Sequence, residues 1–588
     1  MRSSETVLGM LQDRGKQGLP VNDLYRQLYN PHLYLRAYAR LYSNDGAMTK
    51  GTTEETADGM SLNKIKKVID LIKQERFRWT PVRRTHIPKK NGKLRPLGLP
   101  TWTDKLVQEV IRSLLEAYYE PQFSDASHGF RPEHGCHTAL SQVRHVWTGT
   151  HWFLEGDIRQ CFDKLDHSVM LSILAEKIHD GRFLRLVKHL LQAGYLEDWQ
   201  YHTTYSGSPQ GGVVSPILAN IYLDKLDHYI EQELIPTYTR GTARRKNPAY
   251  NRIHNHVRYW KKKGEYAKEK RFRRQLRSLP TGDPNDPNYR RLRYVRYADD
   301  TLLGFAGPKS EAEAIKRQLG EYLRDTLGLE LSEEKTLITH AATQSARFLG
   351  YEIGMSLRED LMSRRGRRDV NGRIRLRMPL AVVEEKRAHY QQKGKPLRRM
   401  SLASQKDYII LNTYQAELRG LYQYYQLADN VSWLHRLQWD MQRSLLSTLA
   451  AKYRRSKQTM LRRYRATIET PHGVRCCLQA IWQRGSEKKP LIGTFGGIPL
   501  KQNKEAVIVD QIPTPIRYEQ KEVIRRLLAG KCELCEVREE GCVVHQVRKL
   551  VDLEHMGKER PLWAHVMLKR RRKTLIVCQA CHYAIHQK

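Results

Sequence analysis

RLRYVRYADDTLLGFAG, residues 291–307, sets two adjacent carboxylates, Asp299 and Asp300, between a run ending in Tyr297-Ala298 and the apolar TLLGFAG. The pattern predicts strand, turn, strand, with both acids at the tip. Adjacent carboxylates at such a tip suit Mg²⁺, a hard cation that takes oxygen ligands in octahedral geometry. A single acidic pair in a turn is more often just solvated, and two-metal phosphoryl chemistry needs acids converging from more than one strand. A second acid of this kind is Asp157, at the end of the apolar strand predicted in HWFLEGDI (151–158). For Asp163 and Asp166, a few residues on, helix N-capping is a sufficient reading.

The chain around these acids is strongly basic. Lys plus Arg number 102 against 63 Asp plus Glu in 588 residues, a net charge of +39. Such a surface binds phosphate backbones through counterion release, so nucleic acid is the expected partner and a membrane is not. MRSSETVLGMLQDRGKQ lacks the apolar core of a signal peptide, and no stretch nears the roughly 18 apolar residues of a membrane span. The expected location is the cytosol, nucleoid-associated in a bacterium. Nine cysteines are too few for a disulfide scaffold, and four fall in two CxxC pairs near the end, which points to a metal.

The length implies several domains. Residues 1–80 read as helical pieces broken by the polar SNDGAMTKGTTEETADG. RRTHIPKKNGKLRPLGLP (83–100) reads as a hairpin turning at Asn91-Gly92. From 101 to 235 helices alternate with short apolar strands, HWFLEGDI and the stretch after SPQGGVVSP among them. An insertion rich in Arg, Lys, Tyr and Pro follows at 236–293. Units 81–370, 371–475, 476–525 and 526–588 are expected, the first mixed α/β, the second a set of amphipathic helices without strands. AAKYRRSKQTMLRRYR places Lys452, Arg454, Arg455, Lys457, Arg462, Arg463 and Arg465 on or beside one helical stretch. A charge run is usually a solvated face, but the net charge favours phosphate binding here.

The boxes, taken in order, resemble reverse transcriptases, and more narrowly those encoded by group II introns. Tyr297-Ala298-Asp299-Asp300 matches their YADD box, Asp157 their first catalytic aspartate, and Ser208-Pro209-Gln210-Gly211 their PQG segment. HIPKKNGKLRPLGLPTWTDK, SHGFRP (127–132), LSEEKT (331–336) and FLGYE (348–352) extend the match. The resemblance implies a multidomain α/β plus α chain: right-hand polymerase fingers and palm, then a helical thumb or maturase domain. It also implies two Mg²⁺ ions on Asp157 and Asp299 with Asp300 in support, and a triphosphate clamp at Lys89 and Arg95. Phe162 would be a sugar gate, although a core phenylalanine is the rival reading. Gln210 would contact the nucleotide or primer–template, and Gly211 and Gly212 permit close backbone approach. Leu418-Arg419-Gly420, with Tyr422, Tyr424 and Tyr425, is similar to the maturase domain, the tyrosines being read as packing. The implied partners are intron RNA, deoxynucleoside triphosphates and a DNA target. A splicing factor with a vestigial polymerase and a reverse transcriptase of another lineage are the alternatives. Intact Asp157, Asp299, Lys89, Arg95 and Gln210 argue against the first.

Cys532, Cys535, Cys578 and Cys581 have the spacing of a four-cysteine structural Zn²⁺ site. His582 and His586 lie one helical turn apart beyond the last cysteine, and His545 sits in the gap. The arrangement resembles a small zinc-stabilised ββα-metal, or HNH, nuclease domain, which implies a divalent ion on His545, His582 and His586. In that fold a second histidine, the general base, follows the first. Here Gln546 stands there, and glutamine cannot take the water's proton, a loss of about 10²–10⁴-fold. The module is expected to bind DNA and to cut weakly or not at all.

Overall fold

The computed structural model describes residues 2–587 except 89–91, 93, 198–199, 203, 205–206, 208–210, 284–285, 357–371, 485–488, 509–517 and 557–559. Lys89 and Gln210 therefore lie outside the described residues. The chain is mixed α/β, and its central element is a five-stranded sheet. The strand order is Ile338–His340, Trp152–Asp157, Asp300–Ala306, Arg291–Tyr297 and Ser127–His128, antiparallel except for the last pair. Leu154, Leu292, Tyr294, Leu303 and Phe305 enter one hydrophobic core, and Phe153, Val295 and Leu302 enter another. Both faces are thus covered, which is why TLLGFA runs apolar without alternation.

Two arms of the basic hairpin, Val82–Pro88 and Leu94–Leu99, pair antiparallel as expected. The strand expected after SPQGGVVSP is instead the helix Ser215–Tyr229. Its apolar residues come as an unbroken run because Ile217, Leu218, Ile221, Tyr222, Leu223 and Leu226 are all buried, and a helix wrapped in protein loses its amphipathic stripe. The 236–293 insertion folds largely as two consecutive helices, Pro248–Lys262 and Tyr266–Arg277, in contact with each other.

After residue 375 strands persist, contrary to the helical expectation. Arg465–Thr470, Gly473–Trp482 and Leu491–Gly496 form an antiparallel sheet against the helix Asp407–Tyr425. The central strand crosses the boundary drawn at 475/476. Alternating burial along Arg465–Thr470 and the turn at Gly473, with φ +94°, are the local causes. The basic run is also not one helix. Leu434–Tyr453 ends where Arg454 turns left-handed at φ 49°, and Ser456 caps a new helix, Lys457–Tyr464, by accepting from the Thr459 N–H.

The C-terminal residues return to the start of the chain. Met60–Ser61 pairs with Val543–Gln546, which pairs with Thr574–Val577. Tyr518, Ile524, Leu527, Val544 and Ile576 share the first core with the N-terminal helices Ser4–Lys16 and Pro31–Leu41.

Candidate functional site

The carboxylate tip follows from strand register. Asp157 lies directly opposite Asp300, as does Tyr297 on the other side, and Asp299 sits in the turn between. Ala298 takes φ 54° to close that turn, and its N–H donates to the His128 carbonyl at 2.9 Å. The Ala298 carbonyl accepts from Arg296 Nη1 at 2.8 Å. Arg296 is fully buried and ion-paired to buried Asp227, whose other oxygen accepts from Tyr294 Oη at 2.7 Å, and it also donates to Ser127 Oγ. The SHGFRP box therefore holds the aspartate turn from behind. A side chain at Gly129 would press within 3.3 Å of the Tyr297 ring.

Crowded acids register in the acidities. Desolvation first, then repulsion from Asp157, raises the Asp299 carboxyl, against the pull of Arg95 and Lys335. Asp300 keeps contact with solvent, yet desolvation by surrounding protein, then Asp299 and Asp157, push it up to about 6. A set of oxygen donors that resist ionising together fits a divalent cation, whose charge removes the repulsion. Lys335, from the LSEEKT box, is ion-paired with Asp157, which holds its ammonium above the usual range. Sequence reading quoted that box without singling out Lys335. Its register signal is the neighbouring Ser332 N–H, which donates to the Asp157 carbonyl at 2.8 Å.

Arg95 lies at the start of the second hairpin arm, exposed and close enough to act on Asp299. Phe162 is half-buried in the short helix Cys161–Lys164 and packs at the edge of the first core, so it serves either reading. Asp166 caps the next helix, accepting from the Ser168 and Val169 N–H groups. Gly211 takes φ +106°, and a Cβ there would lie 2.6 Å from the Gly98 carbonyl, so the PQG segment's end closes on the basic hairpin.

Tyr424 and Tyr425 donate to the Leu349 and Gly350 carbonyls of the FLGYE box at 2.8 and 3.1 Å, and Tyr422 donates to the Lys501 carbonyl. These tyrosines are packing and docking groups. Among the basic residues, Lys452 is tied to Asp407 at 2.9 Å, whereas Arg454, Arg455, Lys457, Arg462, Arg463 and Arg465 are exposed.

Elsewhere in the chain, two groups bring ligand atoms within 4.8 Å of one another among the described residues, a spacing the aspartates of the hairpin tip do not meet: Cys532, Cys535, Cys578 and Cys581, and Asp58, His545, His582 and His586. Burial raises the Cys532 thiol, but backbone N–H groups of Cys535, Cys578 and Leu534 outweigh it and bring it down to about 7. Thiols this close, supported by backbone donors, fit Zn²⁺. His545 lies on the inner strand and His582 and His586 on the helix Gln579–His586. Gln546 N donates to Asp58 Oδ1 and its Nε2 to the Tyr42 carbonyl, both at 2.7 Å. Asp58 was missed in the sequence, where it is one acid among several in a polar stretch.

Comparison with known proteins agrees with this geometry. Residues 87–353 match the family described as reverse transcriptase (RNA-dependent DNA polymerase), 382–474 the type II intron maturase family, and 532–582 an AI2M/AI1M-like HNH endonuclease family. The chain is 39% identical to the group II intron-encoded protein LtrA of Lactococcus lactis subsp. cremoris, over 96% of each. It is 32% identical to the 91 kDa protein in cob intron of Schizosaccharomyces pombe, over 99% of this chain and 73% of that one. Protein YkfC of Escherichia coli is 30% identical over 57% of this chain and 84% of its own. No helix among the described residues is long and apolar enough to cross a membrane.

Proposed function

The chain belongs to the family of group II intron-encoded proteins, with reverse transcriptase, maturase and HNH-like domains, and on that premise we propose how its residues divide the work. Its activity is RNA-directed DNA synthesis, and its maturase domain binds intron RNA. The polymerase is a right hand whose palm is the five-stranded sheet, with the basic hairpin as fingers and residues 371–475 as thumb. The observation that carries the assignment is the register of Asp157 against Asp300, with Asp299 in the turn and Arg95 and Lys335 around them.

Asp157 and Asp299 hold two Mg²⁺ ions, with Asp300 supporting them. When bound, the ions supply activation of a primer 3′-hydroxyl and charge neutralisation on the leaving pyrophosphate. Arg95, with Lys89 on the facing arm, orients the triphosphate and offsets its charge. Phe162 excludes a ribose 2′-hydroxyl sterically, and Gln210 contacts the nucleotide or the primer–template. Exposed Arg454, Arg455, Lys457, Arg462, Arg463 and Arg465 lie along RNA phosphates, while Lys452 braces the thumb through Asp407.

Cys532, Cys535, Cys578 and Cys581 hold a structural Zn²⁺, and His545, His582 and His586 hold a second divalent ion. The module binds the DNA target at which the intron is copied. It cuts weakly or not at all, because Gln546 cannot act as base and its side chain is engaged with Tyr42. Primer extension on an RNA template with Mg²⁺ and deoxynucleotides tests the main assignment. Wild type extends and Asp299→Asn does not. Tight intron-RNA binding without extension by either protein would move the function to splicing alone.

A further inference from the structure

Asp58 reaches the histidine cluster from the other end of the sequence. Its segment is seated by backbone on both sides: the Ala57 N–H donates to the Ala47 carbonyl, the Gly59 N–H to the Val544 carbonyl at 2.9 Å, and Met60 pairs with Val544. Ala57 and Met60 are fully buried. The carboxylate is therefore delivered from a turn tied down on both sides, immediately before the edge strand Met60–Ser61. Its oxygens lie 3.1 Å from His545 Nδ1, 3.4 Å from His582 Nε2 and 2.8 Å from His586 Nε2. Four donors around a zinc ion, with bonds of about 2.0–2.1 Å, sit roughly 3.3 Å apart in a tetrahedron. The carboxylate stands near that spacing from each imidazole, His545 facing one oxygen and His582 and His586 the other.

His545 sharpens the point. It is 4% exposed, and neither ring nitrogen makes a well-aligned hydrogen bond, although Asp58 is near. A buried imidazole without an aligned partner is costly, and a metal–nitrogen bond would remove that cost. The Gln546 backbone N–H, at 2.7 Å from Asp58 Oδ1, orients the carboxylate in the way that outer groups orient metal ligands.

We propose that Asp58 is the fourth ligand of the three-histidine site, and that Zn²⁺ held by Asp58, His545, His582 and His586 clasps the N-terminal segment to the C-terminal module. The inference rests on the reading that the three histidines hold an ion, and goes beyond it in the ligand, the closed shell and the role. Three nitrogens and one carboxylate oxygen suit zinc, and catalytic zinc sites keep a coordination position open whereas structural ones fill all four. Here the chain itself fills the place a scissile phosphate would need. The polar stretch 43–59 is then the strap of a clasp, with the Cys532/Cys535/Cys578/Cys581 site anchoring the start of the helix Gln579–His586 that carries His582 and His586.

The test measures zinc by elemental analysis in the full-length protein after zinc loading and brief exposure to a competing chelator. Wild type is expected to retain about two zinc ions, and Asp58→Asn and His586→Gln about one each, the cysteine site. Asp58→Asn keeps an acceptor for Gln546, and retention of the cysteine-bound zinc reports that the module is folded. Hydrogen exchange adds a structural reading: amides 57–61 and 543–546 should exchange faster in both variants, and in wild type once the second zinc is stripped. If His586→Gln loses an ion while Asp58→Asn keeps two, the clasp is overturned and the three-histidine ion survives. If both variants hold as much zinc as wild type, both readings fall.

Discussion

At the aspartate hairpin, Asp157, Asp299 and Asp300 stand together in a solvent-reaching site, where desolvation and then the neighbouring carboxylates weaken Asp299 and Asp300 as acids, and the cations near them belong to long side chains, Arg95 and Lys335. At the C-terminus, Asp58 meets three histidines in a site where His545, on the strand, is buried, Asp58 and His582 are half-buried and His586 is exposed, and where the Gln546 backbone N–H supports the carboxylate. Both sets suit a divalent ion. The first leaves room and unbalanced charge for a triphosphate and a primer end. The second completes a ligand shell from two ends of the chain, and its base position is spent on docking to Tyr42. Ligand identity alone does not separate a reactive centre from a structural one; what separates them is whether the protein fills the last position.

The contrast breaks most visibly at Asp299. Asp299→Asn should cut primer extension by about 10⁴-fold, some 5 kcal/mol, since transition-state charge loses its ion, with RNA affinity unchanged. Next comes the support behind it. Arg296→Met strands Asp227 in the core, and should cost about 3–5 kcal/mol in a urea titration, with extension falling in step. Restoring stability by the double change Arg296→Met, Asp227→Leu, without restoring extension, would show that Arg296 positions the turn as well as stabilising it.

A smaller effect sharpens the nucleotide side. Phe162→Ala should lower the preference for deoxy- over ribonucleotides by about 10²-fold if the ring excludes the 2′-hydroxyl. A drop in thermal stability with unchanged selectivity would assign the ring to packing. The smallest effect belongs to the exposed cations. Replacing Arg455, Lys457 and Arg462 with glutamine should weaken RNA binding evenly across sequences, and reduce the slope of log affinity against log salt by about 0.7–0.9 for each lost phosphate contact.

Local chemistry decided what could be read without the structure. The hairpin 291–306 was legible because its strand pattern, turn and acids occupy adjacent positions, and Asp157 because an apolar strand ends on it. The helix Ser215–Tyr229 was misread because burial on all sides erases the period that separates helix from strand. The break at Arg454 depends on one left-handed residue for which the sequence carried no glycine. Asp58 was illegible for a different reason. Its partners lie 487 to 528 positions away, and only the pairing of Met60–Ser61 with Val543–Val544 brings them together.

The most direct measurement runs one reaction with two readouts: the full-length protein, Mg²⁺, deoxynucleotides, a primed RNA template and a supercoiled DNA. The open and closed sites predict extension that depends on Asp299, with nicking at background. Robust nicking by wild type that His586→Ala abolishes, or extension that survives Asp299→Asn, would contradict the account.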